Sequence, residues 1–395
     1  MKVYIDYNAT TPLNEAVKTA MIDDFAFYGN ASSIHTTGRL ARARIEDARS
    51  KVAALVGAKQ REIIFTSGGS ESNNTVFQTM RILVERGATE GKPSVRNEIV
   101  TTAIEHPCVL NSANFLRELG FTVTFLPVDK YGVIKIDALK AALNDKTLLV
   151  SVMAANNEIG TIQDIKEITA LAKSAGAFVH TDAVQAVGKI PVNVEEWGVD
   201  YLTMSAHKIY GPKGVGALYV RGRSGIAAAP LFPLIHGGHQ EDGLRAGTYN
   251  NLGVFGFGKA AEIAKQRLAE YKETIFPLRE HLREGLVKRM PNITVNGHPT
   301  DVIPNTLNVS FPGAEGESIL LAMDLAGIDA STGSACASGS LAPSHVIMAM
   351  GVESEAAHGS IRFSLGWGIT REAIDYIIDT LPPIIERLRS MSTLT

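Results

Sequence analysis

The stretch "SAHKIYGPKGVGALYV", residues 205–220, indicates both the fold and the site of this 395-residue chain. It follows the apolar run from Tyr201 to Met204 and places Lys208 between a histidine and a series of glycines. A lysine that leaves a buried strand costs solvation free energy unless another group takes up its charge. The pattern therefore predicts a strand whose carboxyl end carries a functional amine, followed by a second strand at 215–220.

Short runs of strand-forming residues alternate with helical patterns along the first part of the chain. This alternation predicts an α/β fold with a mostly parallel sheet covered by helices on both faces. Several runs end in polar residues, and ligands of open α/β sheets bind outside the carboxyl ends of the strands, so we expect the site there. The predicted strands are 62–67, 97–103, 122–128, 147–155, 177–183, 201–206 and 215–220.

The pattern changes at about Gly256, where a long helical stretch begins and an α+β tail follows. We therefore predict two domains. The large domain covers residues 16–255, and the smaller one is built from residues 1–15 and 256–395. The sequence shows no internal repeat and no linker rich in proline or serine.

The composition, with 45% hydrophobic and 20% charged residues, is typical of a globular chain with a large core. A net charge of -3 gives no broad basic field, which disfavours stable nucleic acid binding and favours small molecules or proteins as partners. No run reaches the roughly 20 apolar residues of a membrane-spanning helix. The N-terminal "MKVYIDYNATTP" also lacks the apolar core of a signal peptide, so we expect a cytoplasmic protein without membrane contact.

The stretch "FTSGGSESNN", residues 65–74, runs from a strand through two glycines and a serine into a helical pattern that opens at Glu71. The free backbone N–H groups and the dipole of such a helix start can bind a phosphate, and the glycines allow close approach. The motif is neither G-x-G-x-x-G nor a P-loop, which disfavours a dinucleotide or a nucleoside triphosphate. A glycine turn with a serine cap is the alternative.

The stretch "HTDAVQAVGK", residues 180–189, puts Asp182 at the end of an apolar strand. A buried carboxylate needs a cationic partner, and a protonated heteroaromatic nitrogen could serve. A helix N-cap is the alternative role. A metal site that uses His180 with Asp182, or His236 with His239, is disfavoured because the spacings match no standard zinc pattern, and we predict no metal.

A phosphate anchor, a strand-end aspartate and a later strand-end lysine together predict a site for pyridoxal 5'-phosphate, whose aldehyde would take up the amine of Lys208. The chain resembles the cysteine desulfurases of the NifS/IscS-like group, in the class V aminotransferase family, from "VYIDYNATTP" near its start to "IRFSLG" at 361–366. The motifs that carry the resemblance are "GNASSIH", "TSGGSESNN", "EHPCVL", "NNEIGTIQDI", "HTDAVQAVGK", "SAHKIYGPKG", "LRAGT" and "GSACASGS".

The resemblance implies a fold-type I pyridoxal phosphate enzyme. Such an enzyme has a mostly parallel seven-stranded sheet in its large domain, and a smaller α+β domain. The resemblance further implies a homodimer that removes sulfur from L-cysteine as an enzyme persulfide and leaves L-alanine. The sulfur would pass to an acceptor, such as a scaffold or carrier protein of iron-sulfur cluster assembly.

The resemblance also assigns roles to the positions that match its motifs. Lys208, Cys336 and His106 would be catalytic, as the Schiff-base lysine, the persulfide carrier and a ring-stacking histidine that can move protons. The cofactor would be bound at its phosphate by Gly69, Ser70, Ser205, His207 and, from the other subunit, Thr248; at its pyridine nitrogen by Asp182; and at its phenolate oxygen by Gln185. Asn157 and Arg362 would bind the substrate carboxylate, for which an arginine fork is well suited. Taken alone, His106 would more often be a capping or core histidine, and Arg362 would more often form a surface ion pair.

Cys336 lies in "STGSACASGSLAPS", residues 331–344, where small residues have little capacity to pack, so we expect an exposed mobile loop. A mobile thiol could attack sulfur on a bound substrate and carry the persulfide to an acceptor, whereas a chance thiol in a linker is the alternative. Cys108 lies in an apolar run and is expected to be buried and structural. The two cysteines form no C-x-x-C motif, which disfavours a disulfide framework and a cysteine-based zinc site.

The chain departs from the family pattern at His239, Asp242 and Trp367, where a glycine, a basic residue and an arginine are more common. Three functions stand as hypotheses: a cysteine desulfurase, a relative such as a selenocysteine lyase or an aminotransferase, and a binding or scaffold protein on an inactive enzyme fold. A transaminase has no use for Cys336, and a scaffold need not retain the lysine, aspartate and arginine of the site. The sequence therefore favours the desulfurase.

Overall fold

The computed structural model of the protein describes residues 1–89, 96–223, 228–290, 292–333 and 343–391. The strands are β1 (Val3–Tyr4), β2 (Ile63–Thr66), β3 (Glu98–Thr102), β4 (Thr122–Leu126), β5 (Thr147–Ser151), β6 (Phe178–Asp182), β7 (Tyr201–Ser205), β8 (Gly216–Val220), β9 (Thr294–Asn296), β10 (Thr306–Ser310), β11 (Ile328–Asp329), β12 (Ser331–Thr332) and β13 (Ser360–Ser364). The helices are α1 (Glu15–Asp23), α2 (Thr36–Leu55), α3 (Gly69–Thr89), α4 (Pro107–Glu118), α5 (Ile136–Ala142), α6 (Ile165–Ser174), α7 (Val194–Trp197), α8 (Asn251–Gln266), α9 (Leu268–Glu270), α10 (Phe276–Arg289), α11 (Gly316–Leu325), α12 (His345–Ala349), α13 (Ser354–His358) and α14 (Arg371–Met391).

A seven-stranded sheet forms the centre of the molecule, in the order β2-β8-β7-β6-β5-β3-β4. β8 runs antiparallel to both of its neighbours, and the other strands run parallel to one another. Each of these strands lies within one of the seven runs that the sequence predicts. The predicted mostly parallel seven-stranded sheet is therefore confirmed.

The middle of this sheet is covered on both faces. β5, β7 and β8 are buried along their whole length. Strands that are buried on both faces are apolar at nearly every position, which explains why their sequences do not alternate with a period of two. β2, β6 and β7 share one direction, so their carboxyl ends meet at the same edge of the sheet, where Asp182 and Ser205 lie.

A smaller sheet has the order β12-β13-β10-β9 and is antiparallel, and β1 pairs with β11 beside it. α10, α11 and α14 pack around it through a second buried cluster. The carboxyl end of β13 lies next to the N-terminal segment of the chain. Ser364, the last residue of β13, hydrogen-bonds to residues 5–8. The small sheet thereby reaches the edge of the large one.

The helical stretch after residue 250 contributes side chains to two buried hydrophobic clusters, that of the large sheet and that of the small sheet. Val254, Phe257 and Ala261 on α8 belong to the same buried cluster as α2, whereas Tyr271, beyond the short α9, belongs to the cluster of the smaller sheet. The predicted domain boundary at residue 256 thus falls inside α8, and the change of packing comes after that helix. The division into two domains stays a prediction.

Within the described ranges, none of the helices combines the length and apolar character that crossing a bilayer requires.

Candidate active site

One cavity of about 290 Å³ lies at the carboxyl edge of the large sheet and faces the small sheet. Ten of the residues that the sequence singles out line it: Gly69, Ser70, His106, Asn157, Asp182, Gln185, Ser205, His207, Lys208 and Arg362. Thr248 does not line it and is exposed on the segment before α8. Cys336 lies outside the described residues. The cavity is therefore a common site for side chains that come from distant parts of the chain.

The start of α3 forms one end of the cavity. Gly69 is the first residue of this 21-residue helix, and a Cβ built on it would lie only 3.0 Å from Cγ2 of Val184. A glycine here keeps the free backbone N–H groups of the helix start open to a ligand, and the helix dipole favours an anion at that position. Ser205 ends β7 next to this helix start, because its Cβ lies 4.0 Å from the same Gly69 position.

His207 follows Ser205 in the turn after β7, and its Nδ1 lies 3.2 Å from Oγ1 of Thr10. Burial, with smaller contributions from Lys208 and other lysines, lowers the pKa of His207 to about 4. The imidazole is therefore neutral at neutral pH, and it can take part in anion binding only as a hydrogen-bond donor.

Asp182 is nearly buried at the end of β6. Its Oδ2 accepts a hydrogen bond from Nδ2 of Asn73 at 2.7 Å, and its Oδ1 accepts one from the backbone N of Val184 at 3.0 Å. The second bond is of the local capping type that the sequence left open as an alternative. Asp182 also lines the cavity, so the capping bond and a bond to a ligand are compatible.

His106 caps α4, as a lone histidine was expected to do, and it also lines the cavity. Its Nδ1 accepts a hydrogen bond from the backbone N of Cys108 at 3.2 Å. Burial is the main cause that lowers the pKa of His106, and Lys208 and His345 lower it further. A neutral ring whose Nδ1 is an acceptor carries its proton on Nε2.

Lys208 lies in the turn Ala206–Lys208 directly after β7. Its Nζ donates hydrogen bonds to the backbone carbonyl oxygens of Asn8, at 2.5 Å, and Ala9, at 2.8 Å. The amine is thus held at the cavity wall by the N-terminal segment, which carries the "YNATTP" motif. Sequence reasoning placed this segment in the family pattern but assigned none of its residues to the site.

Arg362 is 2% exposed in β13 and brings the small sheet to the cavity. Its Nη2 donates to Oδ1 of Asp6 at 2.7 Å, and its Nη1 donates to the backbone carbonyl of Asn157 at 3.0 Å. Its Nε has no partner among the described residues. The surface ion pair that was the alternative for this arginine is therefore wrong, since the guanidinium is buried beside the cavity.

Sequence reasoning missed several side chains of the cavity: Asn8, Asn73, Cys108, Met153 and Val184. Asn8 and Asn73 stand inside the quoted motifs, so their motif membership was the available signal. Cys108 is partly exposed and lines the cavity, contrary to the expectation of a buried structural residue. Burial raises the pKa of its thiol to about 12, so this thiol stays protonated at neutral pH.

The surroundings of His180 do not support the hypothesis of a metal site formed with Asp182. His180 is fully buried, with Nδ1 2.8 Å from Oγ of Ser151 and Nε2 3.1 Å from Oγ1 of Thr203. Burial lowers its pKa to about 3. Across the described ranges, no three histidine, cysteine, aspartate or glutamate side chains cluster as ligands of a metal ion.

The departures from the family pattern have local partners. Trp367 stacks on Tyr210, with ring centroids 4.1 Å apart and planes 9° from parallel, and the guanidinium of Arg267 lies 4.2 Å from the centre of the tryptophan ring. Because Tyr210 is two residues after Lys208, this stack ties the lysine turn to the small sheet. Asp242 accepts a hydrogen bond from Arg223 at 2.6 Å, and His239 is exposed.

Glu105 is a buried titratable group beside the cavity that sequence reasoning did not identify. Its Oε1 accepts hydrogen bonds from Oγ1 of Thr102 and from the backbone N of Met153, both at 2.8 Å, whereas Oε2 has no partner among the described residues. Burial, with a smaller contribution from Asp182, raises the pKa of Glu105 to about 8. The folded protein therefore holds this proton well above the pH at which an exposed glutamate loses it.

We expect Glu105→Gln to flatten the pH dependence of stability between about pH 5 and about pH 8. In this window the folded wild type binds one proton more than the unfolded chain at this position, so its free energy of unfolding falls by up to about 1.4 kcal/mol per pH unit as pH rises. Glutamine cannot ionise, so the variant lacks this contribution. Urea unfolding at a series of pH values measures the difference.

The matched control for this prediction is Glu118→Gln, which changes an exposed glutamate at the end of the adjacent α4 and should keep the wild-type slope. Equal slopes for wild type and Glu105→Gln would contradict the buried, protonated state of Glu105.

Comparison with known proteins decides the family. The aminotransferase class-V family model matches residues 3–377. The chain belongs to this family. Family members at about half identity span nearly its whole length: it is 50% identical to the cysteine desulfurase IscS of Dictyoglomus turgidum over 392 residues, which cover 99% of this chain and 96% of that protein. It is 46% identical to the cysteine desulfurase IscS of Methanosarcina thermophila, with 100% of this chain and 94% of that protein covered.

Solved structures in the family have the same architecture. A NifS-like protein superposes with a TM-score of 0.89 at 40% identity, covering 98% of this chain and 100% of that one. A NifS-like protein from Rickettsia africae superposes with a TM-score of 0.85 at 32% identity, again covering 98% and 100%. The predicted fold-type I class is therefore confirmed, and the family depends on pyridoxal 5'-phosphate.

The cavity residues fit this cofactor. Gly69 and Ser70 line the cavity at the N-terminus of α3, where backbone donors and the helix dipole favour a phosphate. Asp182 presents a carboxylate to the cavity for a protonated ring nitrogen, and Lys208 presents an amine for the aldehyde. A volume of about 290 Å³ suits one small aromatic phosphate with part of an amino acid.

Proposed function

We propose that this protein is a pyridoxal phosphate-dependent cysteine desulfurase, which converts L-cysteine to L-alanine and keeps the sulfur as a persulfide on Cys336. The observation that carries the proposal is the convergence of the Lys208 amine, the Asp182 carboxylate and the Arg362 guanidinium on one cavity. The similarity to cysteine desulfurases over almost the whole chain supports it. An inactive scaffold would have no need to keep these three groups together.

The cofactor would be held by the residues around the cavity, and when bound it supplies an electron sink for the α-carbon of an amino acid. Asp182 would keep the ring nitrogen protonated, because a carboxylate beside it favours the charged form. Lys208 would attach the aldehyde, and His106 would lie against the ring. The phosphate would be bound by Gly69, Ser70, Ser205 and His207, the phenolate oxygen by Gln185, and the phosphate of one subunit by Thr248 of the other.

The substrate would be oriented by Arg362 and Asn157. The guanidinium uses one hydrogen of Nη1 and one of Nη2 within the protein, and each of these nitrogens carries a second hydrogen that a carboxylate could accept. With the carboxylate held there, Nζ of Lys208 would be the base that accepts the α-proton of the substrate. Nε2 of His106 carries a proton that it can donate within the cavity.

The sulfur would pass to Cys336. Its thiolate would form a bond with the substrate sulfur as the carbon–sulfur bond breaks, and the carbon would keep the electron pair and take up a proton to yield alanine. No external oxidant is needed, because the electron pair that the sulfur gives up stays on the carbon, which is reduced to a methyl group. Cys108 is not suited to this role, since burial keeps its thiol protonated.

We further propose a homodimer in the cytoplasm that delivers sulfur to a scaffold or carrier protein, such as one of iron-sulfur cluster assembly. Large apolar side chains are exposed along the connection between α1 and α2, among them Tyr28, 82% exposed, and Ile34, 90% exposed. Covering them with a second copy would remove this apolar area from water. Thr248, exposed and outside the cavity, would then face the partner's phosphate.

The test is to load the purified protein with pyridoxal 5'-phosphate, add L-cysteine and a reductant, and quantify alanine and sulfide. Equal amounts of both, with a change in the visible absorption of the cofactor, are expected. Turnover of L-selenocysteine alone would favour the selenocysteine lyase, and transfer of the amino group to a 2-oxo acid would favour the aminotransferase. Failure to bind the cofactor would contradict the enzyme altogether.

A further inference from the structure

Lys189 is a buried lysine to which the proposed mechanism gives no role. It is 2% exposed, and its Nζ donates hydrogen bonds to Oε1 of Gln185 at 2.6 Å and to Oδ1 of Asn8 at 3.0 Å. Both acceptors are neutral amides, and the ion pairs found among the described residues do not include Lys189. Burial, and then the charges of Lys208 and Arg362, lower its pKa well below the ordinary value. Burying an amine without a carboxylate partner costs solvation free energy, so we expect Lys189 to have a function that offsets this cost.

Lys189 and its acceptor Gln185 are brought together by the turn after β6. The backbone N of Lys189 bonds to the carbonyl of Ala186, and the backbone N of Val187 bonds to that of Ala183, which makes a helical turn. Residues four apart lie on one side of such a turn. The turn starts at Asp182, so the strand end that supplies the carboxylate also fixes this pair.

The amide of Gln185 is held at both of its ends. Its Nε2 donates to the backbone carbonyl of Asn8 at 3.0 Å, and its Oε1 accepts from Lys189. A carbonyl can only accept, so a flipped amide would lose its bond to Asn8 and place two oxygens against each other, and the bond from Nζ of Lys189 to Oε1 would be lost as well. Each mismatched buried group would cost free energy, which leaves one orientation.

Asn8 is itself fixed by the small sheet. Its Oδ1 also accepts from Nδ2 of Asn305 at 3.0 Å, and its Nδ2 donates to Oγ1 of Thr306 at 2.7 Å. The chain of bonds therefore runs from the small sheet through Asn8 and Lys189 to Gln185, which lines the cavity. Nε2 of Gln185 carries two hydrogens, of which Asn8 takes one, so the second is available to a ligand.

We propose that Lys189 is a positioning residue that orients the amide of Gln185, so that its nitrogen donates to the ring oxygen of the bound cofactor. The inference rests on the proposed function, because it needs the cofactor in this cavity, and it adds a residue that acts on the cofactor only through Gln185. Without the amine, only the bond to the Asn8 carbonyl holds the amide, so its orientation is less restricted and the donor to the oxygen is lost for part of the molecules.

The test is a double-mutant cycle on the cofactor-loaded protein without substrate, using Lys189→Met, Gln185→Leu and the pair. The readout is the midpoint of the pH-dependent change in visible absorption. An oxygen that has lost a donor is stabilised less as the anion, so we expect Lys189→Met to raise the midpoint by about half to one pH unit. If Lys189 acts through Gln185, then Lys189→Met should shift the midpoint by less than about 0.2 pH unit in a protein that already carries Gln185→Leu.

Two results would overturn the inference. An unshifted midpoint in Lys189→Met would leave the lysine a purely structural role, and additive shifts would mean that its charge acts on the cofactor directly. Ile45→Ala, a core truncation on α2, controls for lost stability and should keep the wild-type midpoint. If Lys189→Met does not fold, Lys189→Leu carries the same expectation with a shorter side chain.

Failure of the proposed function is recognised separately. Equilibrium titration of the cofactor-free wild type with pyridoxal 5'-phosphate measures its dissociation constant. A wild type that does not bind the cofactor would overturn the proposed function, and the inference with it. A wild type that binds it while the cycle shows no coupling would overturn the inference alone.

Discussion

Lys208→Ala is expected to abolish the formation of alanine from L-cysteine, with a loss of at least about 10³-fold in turnover. In the proposed mechanism, the variant would lose both the covalent attachment of the cofactor and the base for the α-proton. The structure places this amine within hydrogen-bond distance of the carbonyls of Asn8 and Ala9, at the wall of the cavity, so no other lysine is positioned to replace it among the side chains that line the cavity.

Two measurements check this prediction. Alanine is quantified after addition of L-cysteine, and the visible spectrum shows whether the cofactor is still attached through an imine. Lys213→Ala is the matched control, because Lys213 is exposed and lies five residues later in the same loop. Turnover in Lys208→Ala within about tenfold of the control would rule out the proposed role of this amine.

Cys336→Ala is expected to respond to L-cysteine in its visible spectrum but to form no alanine. In the proposed mechanism, binding of the substrate depends on Lys208 and Arg362, which the substitution leaves in place. Transfer of the sulfur needs a thiolate, and alanine at residue 336 supplies none. The two readouts should therefore separate, with the spectral change retained and the product lost.

The other cysteine of the chain provides the control for this variant. Cys108→Ser should keep alanine formation within about tenfold of the wild type, because burial keeps the Cys108 thiol protonated and thus a poor nucleophile. Alanine formed by Cys336→Ala at the wild-type rate would mean that sulfur leaves without this thiol, as the selenocysteine lyase hypothesis requires.

The central strands of the large sheet could be predicted because they are buried on both faces, and this burial demands largely apolar runs that are visible locally. The positions of Asp182 and Lys208 followed for a related reason, since each is the polar end of such a run. The boundary between the domains could not be read from the sequence. α8 has one continuous helical pattern, and this pattern does not show which buried cluster the helix packs against.

Asn8, Asn73 and Lys189 were not predicted as parts of the site. Asparagine and lysine are common in turns and on surfaces, and nothing in their spacing shows that they are buried. Their roles depend on partners 109 to 181 residues away, as in the bonds from Asn73 to Asp182 and from Lys189 to Asn8. Contacts over such separations are decided by packing and leave no periodic trace.

By itself the sequence determined the α/β class, the seven strands of the large sheet and, through its motifs, the family and most of the residues of the cavity, because burial and glycine-dependent turns constrain residue types locally. Only the tertiary structure decided that Asp6 and the backbone of Asn157 hold the guanidinium of Arg362, that Cys108 lines the cavity, and that Lys189 and Asn8 hold Gln185. These facts depend on how two sheets meet, and the free energy of that contact is spread over many residues that are distant in the chain.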